Sequence, residues 1–458
     1  MRHRILTVAG AGNDGPLEGM VANDAPWVLT VGAGTTDRRI AVSIKLGDGT
    51  ELSGESAYQP SPFNSTTPFP LAFPKRGCSY DSFKGIDISG KIVLCESGFG
   101  IEENIEKGKI VKNAGGAAMV VLNRAEQGET TLSEAHVLPA AHVGYSARCS
   151  IESYFNSSTD STPYVTLTFI GTILGARPSP AVASFSSRGP SSNNGGILKP
   201  DIIGPGVNIL GAWPAGDLSA TSDQESNFNF QSGTSSATPH LSGIAALLRS
   251  SHHHWSPSAI KSAIVTTATR EDADGNPITD QFNVTTAAAA AASLFAVGAG
   301  QVDPSKANNP GLVYNLHSHS YKRYLCGLGY TDRQVTMITL HHAKCSRYRR
   351  ELGPEQLNYP SITVALGSPA RKTVRRWVRN VGEDSEVYVA KIDMPEGVKV
   401  EVYPPRLYFA RRYDTRRFVV VLTADDRKLR SSGRVSEGQL LWVSSSHVVK
   451  SPIVVTFT

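Results

Sequence analysis

No apolar run in this chain approaches the roughly 18 consecutive residues a helix needs to cross a bilayer, so the sequence excludes a helical membrane span. Cysteine is scarce: five residues, at 78, 95, 149, 326 and 345, an odd count that leaves at least one thiol unpaired within the chain. No cysteine or carboxylate stands at ligand spacing from the run His252-His253-His254, and successive helical residues point in different directions, so neither a metal nor another cofactor is expected. The basic residues lack interleaved aromatics and glycines, which removes nucleic acid from the expected partners. Met1-Arg2-His3-Arg4 imitates the start of a secretion signal, but the apolar stretch after it, Ile5 to Ala9, is too short and runs straight into Gly-Asn-Asp-Gly, so no such signal is expected. The one low-complexity tract, Ala287 to Ala292, carries no specific role.

What is present is a chain of 458 residues, 40% hydrophobic and 19% charged, long enough for about three domains. Its most informative stretch is 231–248, Gln-Ser-Gly-Thr-Ser-Ser-Ala-Thr-Pro-His-Leu-Ser-Gly-Ile-Ala-Ala-Leu-Leu, a small-residue turn running into an apolar helix. Gly233 lets the backbone turn sharply, and Ser235 falls at the helix start, where the positive end of the dipole favours a nucleophilic oxygen. Read alone, Thr234 or Ser235 could equally be an N-cap, with Pro239 tolerated in the first turn. The second informative stretch opens the chain: Ile5 to Ala9 reads as a buried strand and Gly10-Ala11-Gly12-Asn13-Asp14-Gly15-Pro16 as the tight loop leaving it. Alone, Asn-Asp-Gly-Pro is an ordinary turn.

Together these stretches resemble the subtilisin-like serine proteases. Gly233 to His240 is similar to the active-serine signature, with Ser236 where Met is usual and Ala237-Thr238 where plant members usually have Ser-Cys. The resemblance implies that Ser235 is the nucleophile and that Asn13 donates its side-chain amide to the oxyanion of the tetrahedral intermediate. In subtilisin itself, the family's type example, loss of such a donor raises the barrier by about 3 kcal/mol. A protein or peptide substrate is implied.

The family's chain order is Asp, His, Ser, and both earlier residues should precede Asn13. Only 12 residues do, and neither an Asp-Thr/Ser-Gly nor a His-Gly-Thr motif occurs; Asp87-Ile88-Ser89-Gly90 is a loose echo in the wrong place. His3 lies too near the strand to replace the base. His240, five residues after Ser235 on the same helix, should project away from the hydroxyl. Asp201 is an acid without a histidine partner. The expectation is an N-terminally truncated member, inactive as it stands because loss of the base removes about six orders of magnitude in subtilisin. The alternative is a non-catalytic binding or scaffold protein acting through its other domains.

The expected fold class is α/β: a partial subtilisin-like parallel-sheet core at 1–50 and 170–315, an inserted α/β domain at 51–169, and an all-β sandwich at 355–458. The insert resembles the protease-associated domain of plant subtilases, with Lys91 to Cys95 and Gly115 to Asn123 as buried runs and Ile105 to Ala114 as a helix. Ser184 to Pro190, Leu198 to Ile202, Gly298 to Pro304 and Pro310 to Tyr314 look like core segments of the family. The last part resembles the fibronectin-III-like domain that closes these proteases, with strands expected at 386–392, 398–403, 417–422, 438–443 and 453–457.

The resemblance also implies Cys78–Cys95 and Cys326–Cys345 disulfides. With the sequons at Asn64, Asn156 and Asn283, it further implies a secretory, apoplastic ancestry. Residues 361–458 hold 17 Lys/Arg against 10 Asp/Glu, whereas the whole chain is only +5. That surplus could dock an acidic cell-wall ligand, although Arg375-Arg376, Arg411-Arg412 and Arg416-Arg417 read first as a solvated face.

Overall fold

The computed structural model describes residues 4–60, 67–74, 77–98, 103–157, 162–214, 227–282, 291–348, 353–425 and 433–458. His3, the sequons at Asn64 and Asn283, Ser158 of the sequon at Asn156, and Ala287 to Ala290 lie outside the described residues.

A small α/β core holds the segments of interest. The strand Val28–Gly34 is buried along almost its whole length, as a central parallel strand must be when both faces are covered. It pairs in parallel with Thr7–Gly10 on one side, in the register Thr7 to Val28 and Gly10 to Val31. On the other side Ile202–Pro205 runs parallel, with Ile202 opposite Val31 and Pro205 opposite Gly34. Two short strands, Ala181–Val182 and Thr279–Asp280, extend the sheet from Gly34. The helix Thr234–Ser251 lies against it. Ala237, Leu241, Ala245 and Leu248, spaced to share one helical face, are buried among Leu29, Val31 and Ile202. The next helix, Pro257–Thr266, starts with Pro at its first position and Ser256 as N-cap, whose hydroxyl accepts from Ala259 N–H at 3.1 Å.

Between Val28–Gly34 and the second half of this core the chain closes a barrel. Its strands run in the order Arg39–Leu46, Glu51–Glu55, Ala140–Val143, Ala118–Leu122, Ile92–Glu96, Phe69–Ala72 and Tyr164–Ile173, the last returning to the first. Val42, Ile44, Ile92, Leu94, Val120, Leu122 and Leu167 fill the interior. The helices Asn104–Asn113 and Tyr145–Ser157 connect its strands, and a Cys78–Cys95 disulfide links the segment before Ile92–Glu96 to that strand.

Among the described residues, the C-terminal part is a sandwich of a four-stranded and a five-stranded sheet, its core built on Phe418, Trp442, Tyr388 and Phe409. The five strands expected from alternation are present at Glu386–Asp393, Val398–Tyr403, Thr415–Ala424, Val435–Val443 and Val448–Phe457. Four more strands go beyond that expectation: Leu312–Val313, Ile362–Leu366, Arg371–Asn380 and Arg406–Phe409. Leu312 and Tyr314 pack into the sandwich core, so the sandwich takes its first strand from just after the α/β core. A second disulfide, Cys326–Cys345, ties the helix Ser318–Gly327 to the segment leading on to the sandwich, and Cys149 is free and exposed.

Arg376 corrects the reading of the basic pairs. Arg375 faces solvent, but Arg376 is 2% exposed, on the inward side of Arg371–Asn380 with Val374 and Val378. Its guanidinium donates to the carbonyls of Glu355 (2.9 Å), Tyr359 (3.2 Å) and Ser361 (3.2 Å). Burial pulls its pKa down to about 10. It stitches the entry segment onto the sandwich.

Candidate active site

Ser235 is the second residue of the helix Thr234–Ser251 and is exposed, while Thr234 beneath it is buried. Its hydroxyl therefore stands in the positive field of the helix N-terminus with access from solvent. Gly233 precedes the helix with φ 154°. A Cβ there would lie 3.0 Å from Ser235 Oγ and 3.5 Å from Asn13 Nδ2. Ser235 Oγ and Asn13 Nδ2 thus border one small space beside Gly233, whose positive φ favours glycine.

Asn13 arrives in this space from the other end of the chain. The loop leaving Thr7–Gly10 turns at Gly12, φ 101°, whose N–H donates to Thr234 Oγ1 at 3.2 Å. The next turn of the loop is pinned from the segment before Ile202: Asp14 N–H donates to Ser187 Oγ at 3.0 Å, and Ser187 N–H to the Gly12 carbonyl at 2.9 Å. Asn13 Oδ1 accepts both Thr234 N–H at 2.9 Å and Thr234 Oγ–H at 3.1 Å. Two donors on one oxygen fix which end of the amide is which. Nδ2 then faces away from Thr234 and makes no hydrogen bond among the described residues.

Among the described residues, no histidine ring or carboxylate hydrogen-bonds Ser235. His240 turns its Nδ1 to the Ser236 carbonyl at 3.0 Å, one helical turn back. His252 stacks on Trp255 at 3.9 Å and bonds the Asn308 carbonyl at 2.9 Å.

Asp201 is fully buried with other partners. Its Oδ2 meets Lys199 Nζ at 2.7 Å, Lys261 Nζ at 3.0 Å and Thr30 N–H at 2.7 Å, and Tyr359 donates its hydroxyl to Oδ1. Burial alone would raise this carboxyl, but the Lys199 and Lys261 ammoniums outweigh it and hold the pKa below 3.8. Burial drives Lys261 well below its ordinary value and Tyr359 well above. The cluster joins the α/β core to the entry segment of the sandwich.

Sequence reasoning points to Ser235 and Asn13, and the structure places them around one opening. It misses Thr234 and Ser187 as the residues that orient Asn13. Each sits within a segment singled out from the sequence, but nothing in the spacing shows that residues 13, 187 and 234 meet.

A chain with this core, helix-borne serine and asparagine loop is a member of the subtilase family: the family pattern matches residues 1–300, and a Fibronectin type-III domain matches residues 356–455. Two Arabidopsis thaliana proteins, Subtilisin-like protease SBT1.5 and Subtilisin-like protease SBT1.2, are each 40% identical to it. Those alignments cover 99% and 100% of this chain but 60% and 59% of the relatives. The chain therefore spans about 60% of the length of these curated relatives. Among solved structures, the psychrophilic subtilisin-like protease Apa1 from Pseudoalteromonas sp. AS-11 aligns with 67% of this chain and 64% of its own, at 16% identity and a TM-score of 0.26.

Proposed function

We propose that this chain carries the nucleophile half of a serine endopeptidase site, in which Ser235 attacks the scissile carbonyl of a protein or peptide and Asn13 Nδ2 stabilises the oxyanion. The observation that supports this is the amide of Asn13, oriented by Thr234 so that its donors face the opening beside Ser235. Such a fixed donor is worth more to a developing oxyanion than to a ground-state carbonyl.

The proton acceptor for Ser235 would have to come from polypeptide outside this sequence. The edge of Thr7–Gly10 away from Val28–Gly34 has no paired strand among the described residues, and Leu247, on the solvent face of the nucleophile helix, is 69% exposed. An open edge and an apolar helix face both favour further packing. The barrel would be the protease-associated insert. A secreted, glycosylated, apoplastic setting fits the two disulfides and the three sequons.

The test is hydrolysis of a fluorogenic peptide by this chain alone and by the same chain joined to an upstream segment carrying the Asp and His motifs. The chain alone should show no turnover and no fluorophosphonate labelling. The joined polypeptide should show both, and Ser235→Ala should abolish them. Labelling of Ser235 in the chain alone would overturn the claim that the base lies elsewhere.

A further inference from the structure

Asn208 sits where the barrel meets the nucleophile turn. It is 5% exposed and holds φ 52°, a left-handed conformation that asparagine tolerates better than most residues. On the barrel side its Nδ2 donates to Glu55 Oε2 at 2.9 Å and to the Thr131 carbonyl at 3.2 Å, while its Oδ1 accepts Ser133 N–H at 2.8 Å. On the other side its N–H donates to Ser232 Oγ at 2.8 Å, and Oδ1 accepts the same hydroxyl at 3.2 Å. Arg38 Nη2 donates to its carbonyl at 2.6 Å. Two residues before it, the Gly206 carbonyl accepts Gly233 N–H at 2.8 Å. Glu55, in a barrel strand, thus reaches Ser232 and the turn that presents Ser235 through one side chain. The same network forms part of the wall of a cavity of about 500 Å³ at the seam, together with Arg39.

We propose that Asn208 is a positioning residue that couples the inserted barrel to the nucleophile turn, so that a disturbance of the barrel at Glu55 changes how firmly Ser232, Gly233 and Ser235 are held. The proposal rests on reading Ser235 as the nucleophile for its relevance to catalysis. The coupling itself is a property of the fold. A buried amide with both its ends engaged transmits displacement because releasing any one partner leaves a desolvated polar group unpaired. The protein thereby gains a route by which occupancy or movement of the barrel seam tunes the serine.

Hydrogen exchange on the full chain tests this without needing turnover. Asn208→Gly keeps the left-handed backbone at no steric cost and removes only the side chain. Glu55→Ala alters the network from a residue that touches no part of the turn. Both variants should speed exchange at Gly233, Ser236 and Ala237 by about tenfold, while the sandwich strand Arg371–Asn380 stays unchanged. A turn insensitive to Glu55→Ala, or exchange that rises equally in the sandwich, overturns the coupling. The two readings fail separately. A responsive turn in a joined polypeptide that never labels with fluorophosphonate removes the nucleophile reading alone. A labelled Ser235 above an insensitive turn removes the coupling alone.

Discussion

Thr234 holds Asn13 by two hydrogen bonds to one oxygen, 2.9 Å from its N–H and 3.1 Å from its hydroxyl. The residue before Ser235 therefore sets the direction in which the Asn13 amide N–H groups point, the donors proposed for the oxyanion. In a polypeptide with a complete triad, Asn13→Leu should lower kcat by about 100-fold to 1,000-fold with little change in KM, because the lost bond is made only in the transition state. Thr234→Ala should lower kcat by a smaller factor, since the backbone donor to Oδ1 remains. Steady-state kinetics on the two variants checks the order.

Asp201→Asn should destabilise the chain by about 3–5 kcal/mol, because it leaves Lys199 and Lys261 buried without their counter-charge. The wild-type carboxyl is held below 3.8 in the folded protein. Its contribution is thus fully present above pH 3.8 and is lost as pH falls through the lowered folded value. Urea unfolding of both proteins at neutral pH and at pH 3 should show the gap between them narrowing in acid.

The barrel has its own acid response. Burial pushes His136 down to about 4 and His142 down to about 3, and raises Glu134 to about 7. Glu134 Oε2 lies 3.9 Å from a ring nitrogen of each histidine, but the rings are neutral at pH 7 and these are not ion pairs there. Below the unfolded value of 6.5 the unfolded chain gains two imidazole protons that the folded barrel refuses, partly offset by the proton the folded state keeps on Glu134 down to 4.5. Barrel stability should therefore fall by about 1 kcal/mol per pH unit between pH 6.5 and 4.5. Replacing both histidines with Phe and Leu should flatten or reverse that slope in a calorimetric series.

Arg376→Met should cost about 3 kcal/mol, since three carbonyls of the entry segment lose a buried donor. Arg375→Gln, one residue away and exposed, should change stability by less than about 0.5 kcal/mol. Chemical denaturation of the pair distinguishes the inward residue from the outward one.

The contrast between these two arginines also shows how far the sequence can be read. Strand alternation through Val374, Arg376 and Val378 already puts Arg376 on the inner face. Treating Arg375-Arg376 as a pair conceals it, because charge is normally a sign of exposure. The turn before Ser235 and the Asn13 loop are legible because each carries a local pattern: a glycine before a helix, and a glycine-rich loop after a strand. The links between them are not. Thr234 on Asn13, Ser187 on Asp14 and Asn208 on Ser232 join residues brought together only by the parallel sheet and the closed barrel, and no spacing in the sequence encodes that. Leu312–Val313 escapes notice as a strand for a similar reason: it is two residues long and pairs with Asn380 and Arg379, far along the chain.

The most direct test of the account is to map the adduct formed when the joined polypeptide, with Asp and His supplied upstream, reacts with a fluorophosphonate. The expected result is a single modified residue, Ser235, with peptide hydrolysis lost in step with labelling. An adduct on another serine, or hydrolysis that survives Ser235→Ala, would contradict it.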